Sequence, residues 1–216
     1  DLVSSWRQAT PPDAPNRFVI NIQPEQGDAF RQRLKDSGVT GYDWYPMIRG
    51  RLLAINGKGV RPEDMAEERA KRLVDREFNL SHDTRLPGHN ELVGGRWTPD
   101  EPNALSVEEG LAQTFELKLG DRLRFDIAGT AVEGRITSLR KVDWGSMRVN
   151  FFVLFPAATM ADLPATYIAA FRAPDRGDKG ATFDNALSRD FPNITNVDIS
   201  ASIVQVASGV DQAARL

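Results

Sequence analysis

Arg17-Phe18-Val19-Ile20-Asn21-Ile22, followed by Glu25 to Ser37 and then by Tyr42 to Ile55, is the stretch that decides the fold. The first run alternates as a half-buried strand does, the second reads as a helix closed by Gly38, and the third as a long returning strand. The same order comes back near the other end of the chain. Thr166-Tyr167-Ile168-Ala169-Ala170-Phe171 reads as a strand, Ala181 to Phe191 as a helix stopped by Pro192, and Ile194 to Ile199 as a closing strand. Two such units close into one four-stranded split sheet with both helices on one face. The expected class is therefore α+β, a split β-α-β repeat with residues 59–165 inserted as a β-rich subdomain. Neither copy of the repeat contains chemistry.

At 216 residues the chain has room for one large domain or two small ones, and the repeat with its insertion favours two. The prolines of Thr10-Pro11-Pro12-Asp13-Ala14-Pro15-Asn16 allow no helix to pass, which separates the first residues from the core. The predicted divisions are an N-terminal stalk and connector (1–15), the repeat unit (16–58 plus 166–200), the insertion (59–165) and a C-terminal stalk helix (201–216). Ile203, Val206 and Val210 give that last helix a narrow apolar stripe that runs on towards Leu216.

Lys and Arg total 27 against 30 Asp and Glu, so a net charge of −3 offers no broad basic footprint, and nucleic acid is not an expected partner. The absence of cysteine excludes thiol catalysis, disulfides and zinc sites that need sulfur. No run approaches the ~20 apolar residues that span a bilayer, because the best candidate, Phe151 to Phe155, ends at Pro156. No signal peptide is apparent, and a start at Asp1 without Met reads as a processed or excised piece.

Within the insertion, Arg61-Pro62-Glu63-Asp64 predicts a helix start, with Glu67–Lys71 and Glu68–Arg72 as i,i+4 pairs further along. Ser106-Val107-Glu108-Glu109 has the form of a capping box ahead of a helix bearing Val107, Leu111 and Phe115. Leu123, Phe125 and Ile127 mark a strand, Ala128-Gly129-Thr130 a tight turn, and a second strand follows through Arg140. After a loop at Asp143-Trp144-Gly145-Ser146, Arg148 to Phe155 reads as a strand buried on both faces.

Candidates for chemistry are few. The loop Ser81-His82-Asp83 through His89 holds the residue types of a triad, but three consecutive side chains do not converge as nucleophile, base and orienting acid. The spacing of His82, His89, Asp83 and Glu91 matches no recurring metal motif. Asn56-Gly57-Lys58-Gly59 lacks the phosphate-loop spacing, and Gly94-Gly95 lacks the dinucleotide spacing. No catalytic, metal-binding or cofactor-binding residue is assigned. Trp144 and Met147 are the candidates for partner contact, with burial against the core as the competing reading.

Ala104 to Leu123, a short helix followed by Gly120-Asp121 and a strand, resembles a segment of FtsX-like and MacB-like ABC transporter permeases. Arg140 to Phe152 and Arg76 to Ser81 resemble one branch of that family more specifically. The resemblance implies a periplasmic domain between the first two membrane helices of a four-helix permease, at the inner membrane of a bacterium. It implies a porter-like part holding the repeat and a sabre-like part holding the insertion, with residues 1–9 and 201–216 as extensions of membrane helices. It also implies a second permease copy and a cytoplasmic ATPase subunit as partners, ATP being bound by that subunit, so that this domain holds no cofactor and hydrolyses nothing. A hydrophobic or lipid-like cargo and a periplasmic thioesterase or lysophospholipase partner follow from the same resemblance. Two other readings stand beside it: a free-standing hydrolase using the Ser81–His89 loop, and a periplasmic scaffold recruiting a partner through Trp144.

Overall fold

The chain takes the order β1 (Arg17–Ile22), α1 (Gly27–Asp36), β2 (Tyr42–Ile55), β3 (Lys58–Gly59), α2 (Glu68–Val74), β4 (Phe78–His82), β5 (Asn90–Gly95) and β6 (Ala104–Glu108). It continues with α3 (Glu109–Thr114), β7 (Arg122–Ile127), β8 (Thr130–Val142), β9 (Val153–Phe155), β10 (Thr166–Phe171), α4 (Gly177–Asp190) and β11 (Thr195–Asp198). This computed structural model describes residues 13–156, 160, 162–174 and 177–199, with the side chains of 177–181 left out of the description. The expected stalks at 1–9 and 201–216 lie outside the described residues.

The molecule is rich in sheet, with hydrogen-bonded neighbours in the order β11-β1-β10-β2-β4-β9-β6-β8-β5. β1 lies between β10 and β11, antiparallel to both, and β10 lies antiparallel to β2. Alternation along these strands sends residues to two different cores. Val19, Ala169 and Phe171 face α1 and α4, where Phe30, Leu34, Phe183 and Leu187 meet them. Phe18, Ile168 and Ala170 face the other way and pack with Met47, Met147, Val149 and Phe151. A third cluster fills the insertion, with Leu80, Leu105, Val107, Leu123, Phe125 and Ile136 among its members.

β2 joins these regions. Its first half, Tyr42 to Met47, pairs with β10, and its second half pairs with β4, β7 and β3. Pro46 sits at the changeover and has no N–H to give, but its carbonyl accepts a 2.6 Å hydrogen bond from the Ser81 hydroxyl. At the far end of β2, Asn56 and Gly57 both take positive φ, as a two-residue hairpin turn into β3 requires.

The insertion departs from the sequence reading in three places. Ser106 is not a helix cap: it lies in β6, wholly buried, and Glu108 caps α3 by accepting from the amides of Gly110 and Leu111 at 2.8 and 2.7 Å. The strand pairing of β6 with β8 and β9 outcompetes the local cap, so Val107 is a strand residue too. The charged helix expected from Pro62 is a single 3-10 turn, Pro62–Asp64, with α2 beginning only at Glu68. Glu68 then meets Lys71 at 3.4 Å, one residue short of the expected spacing. Finally, only Val153–Phe155 of the run from Arg148 is a strand; residues 147–152 are irregular.

Candidate functional site

The described ends of the chain emerge together. Arg17, the first residue of β1, lies opposite Asp198, the last of β11, and opposite Phe171, the last of β10. Arg17 is buried, at 8% exposure. It donates to the Asp184 carboxylate from Nε and Nη2 at 3.1 and 3.0 Å, and pairs through Nη1 with Asp198 at 2.9 Å. One Arg thus ties β1, β11 and α4 together, with the planar fork that a Lys lacks.

At the same end of the sheet a cavity of about 490 Å³ opens between the α1–β2 connection and the segment after β8. Asp13, Tyr42, Asp43, Arg148 and Arg172 line it with the backbone from Gly38 to Gly41. Asp43 has a side chain only 5% exposed and takes the Arg148 fork, with Nη2 at 2.6 Å and Nε at 2.9 and 3.0 Å. Its Oδ2 also accepts from the Val149 amide at 2.9 Å, so the buried carboxylate is well satisfied. Burial of the ring, and after it the negative charge of Asp43, push the Tyr45 phenol up to about 12.

Behind this wall the irregular segment is held by side chains rather than by a strand ladder. His89 Nε2 donates to the Val149 carbonyl at 2.7 Å, which fixes the tautomer and leaves Nδ1 buried without a partner. Burial there lowers the His89 pKa, since a second ring proton would have nothing to bond. Asn90 Nδ2 donates to Asn150 Oδ1 at 2.7 Å. Arg140, with no exposed surface, donates to Phe151 O at 2.8 Å, Phe152 O at 3.2 Å, Asn90 Oδ1 at 2.6 Å and Ser106 Oγ at 2.8 Å. Burial pushes its pKa down to about 9, which keeps it charged at neutral pH.

The residues singled out in the sequence are scattered. Ser81 is fully buried and its hydroxyl is spent on Pro46, while its neighbour His82 in β4 points to the opposite face. His89 is turned to Val149. The Ser81–His89 loop therefore brings no nucleophile to a base. Met147 is 3% exposed within the core beneath β1 and β10, at a left-handed φ of 61°. Trp144 is half-buried and packs on Phe152 with ring centroids 5.2 Å apart. Among the described residues, no group of three or more His, Cys, Asp or Glu is placed to hold a metal ion. Asp43, Arg148 and Arg140 escaped the sequence reading. For Arg140 the signal was present, because alternation places it on the inward face of β8 with Ile136, Ser138 and Val142.

In sequence the chain is similar to the ABC transporter permeases. The chain is 37% identical over 206 residues, 95% of its length, to YbbP of Escherichia coli strain K12, an uncharacterised ABC transporter permease. It spans 24% of that relative. No protein-family model matches the chain. Two solved structures align with it: the periplasmic region of MacB from Actinobacillus actinomycetemcomitans, at 12% identity and a TM-score of 0.45, covers 90% of this chain and 94% of its own. A domain assigned to a permease protein of Porphyromonas gingivalis, at 14% identity and a TM-score of 0.41, covers 86% and 93%. Among the described residues, no helix is long and apolar enough to cross a membrane.

Proposed function

We propose that this chain is the periplasmic domain of an ABC exporter permease, and that it transmits ATP-driven motion from membrane helices to the handling of a hydrophobic or lipid-like cargo. The observation that carries this reading is the 37% identity to YbbP across nearly the whole chain. The geometry supports it through the convergence of the described ends at Arg17, where one guanidinium spans β1, β11 and α4. Two membrane segments entering there would act on one rigid edge. In this reading β1, β2, β10, β11 and their two helices form the porter-like part, and residues 59–165 the sabre-like part. A second permease copy and a cytoplasmic ATPase complete the machine, and a periplasmic thioesterase or lysophospholipase is the proposed enzyme partner. The domain itself breaks no bond.

The test is the mass and membrane association of the native polypeptide that contains this sequence. A membrane-embedded protein several times the 24.0 kDa of this chain is expected. A native species of 24.0 kDa free of the membrane overturns the reading.

A further inference from the structure

Residues 147–152 cross one face of the β1–β10 sheet without joining it, and their two ends are held by opposite kinds of chemistry. At the Phe151–Phe152 end the grip is dry. Arg140 takes both carbonyls from a site with no exposed surface, and the Glu108 amide donates to Phe152 O at 2.8 Å. At the Arg148 end the grip is wet. The Arg148 side chain is 42% exposed, on the rim of the 490 Å³ cavity, so its fork to the buried Asp43 carboxylate is an ion pair with one partner in contact with water. Between the ends stand two bonds, His89 to Val149 and Asn90 to Asn150. Underneath, Met147, Val149 and Phe151 lie on Phe18 and Ile168, with a void of only about 20 Å³.

The geometry points to a latched strap. Opening the Arg148–Asp43 pair lets residues 147–150 lift, pivoting on the carbonyls that Arg140 holds, and uncovers the apolar face made by Phe18, Ile168 and Ala170. An ion pair with one partner at the surface is screened by salt more than a wholly buried guanidinium bonded to neutral acceptors. The fixed end also has a mechanical reason to stay: freeing the Phe151 and Phe152 carbonyls would leave the wholly buried Arg140 charge with only Ser106 and Asn90 as acceptors. The device stands whether or not the transport reading holds, because it rests only on contacts within this chain.

Amide hydrogen exchange on the unmodified chain tests it, with the Val149 amide reporting the latch and the Glu108 amide the pivot. Raising KCl from about 0.05 M to about 1 M is expected to speed Val149 exchange about tenfold relative to Glu108. Arg148→Ala is expected to give the fast Val149 exchange at low salt, to abolish the salt response, and to raise the fluorescence of an apolar-surface dye. Equal exchange at Val149 and Glu108 under both salts overturns the proposal, since the strap is then ordinary core. So does an Arg148→Ala chain in which β1 and β10 amides loosen along with Val149, since the pair then holds the fold and not a strap. The salt series needs no variant, so a failure of Arg148→Ala to fold leaves that arm decisive.

Discussion

At Arg140 a full charge is held by Ser106, Asn90 and two backbone carbonyls, with no carboxylate among its hydrogen-bond partners. The planar fork reaches acceptors in three different segments, and a Lys ammonium cannot reach them all. Arg140→Lys is therefore expected to lower stability by roughly 3 to 5 kcal/mol, read as a shift of the urea midpoint at unchanged slope. His89 makes a pH prediction of definite sign. Burial holds its folded-state pKa below 6.5, so the unfolded chain takes up the proton first and stability falls as pH drops through 6.5. His82 is shifted the same way, again by burial. Each can add a slope of up to about 1.4 kcal/mol per pH unit, and the double variant His82→Gln, His89→Gln should flatten stability between about pH 7.5 and 5. The inward position of Arg140 was legible from alternation along β8, but the contact of His89 was not. His89 finds Val149 across sixty positions, and no local pattern announces a contact of that range.

The elements of the repeat were legible because period and punctuation agreed in them. Tyr42–Ile55, for one, runs over the length that its apolar pattern marks. The insertion was harder. Ser106 looked like a cap because Glu109 follows it at capping-box distance, yet parallel pairing with β8 claimed the backbone first. β4 and β5 went unread because each is short and flanks a polar loop, and Gly94-Gly95 argues locally for a bend. In fact Gly95 takes φ 69° beside a register shift, and a Cβ there would collide with the Thr137 carbonyl oxygen. Gly95→Ala is expected to cost about 2 kcal/mol or more in chemical denaturation, the β5 edge loosening first in hydrogen exchange. The β7–β8 turn gives the opposite sign. Ala128 adopts φ 52° ahead of Gly129, a conformation that an L-residue other than Asn or Asp resists. Ala128→Asn supplies the favoured Asn-Gly pair and should raise stability by about 1 kcal/mol, seen as a higher thermal midpoint.

On the scale of the molecule, β2 decides how the parts behave together. It places Trp44 against the helices, Met47 in the core beneath the strap, and Ile48 and Leu52 in the insertion. Three cores that share one strand cannot melt independently without breaking it. Far-ultraviolet circular dichroism and tryptophan fluorescence are accordingly expected to report one coincident unfolding transition. Two separated transitions would mean that the Pro46 changeover isolates the halves. The repeat with its insertion pointed to a two-part chain, but the sharing of a strand between the parts is a matter of long-range pairing that a local pattern does not encode.

The place of β1 in the sheet has a consequence for how the protein is made. Both neighbours of the first strand come from the far end of the chain, β10 and β11. A nascent chain grows by about 5 to 20 residues per second, so the opening strand waits roughly ten to thirty seconds for its partners to be synthesised. Through that interval Phe18, Val19 and Ile22 have no sheet to enter, and the ribosome delivers an unfinished fold with its first strand bare. This strand order builds the delay into the topology.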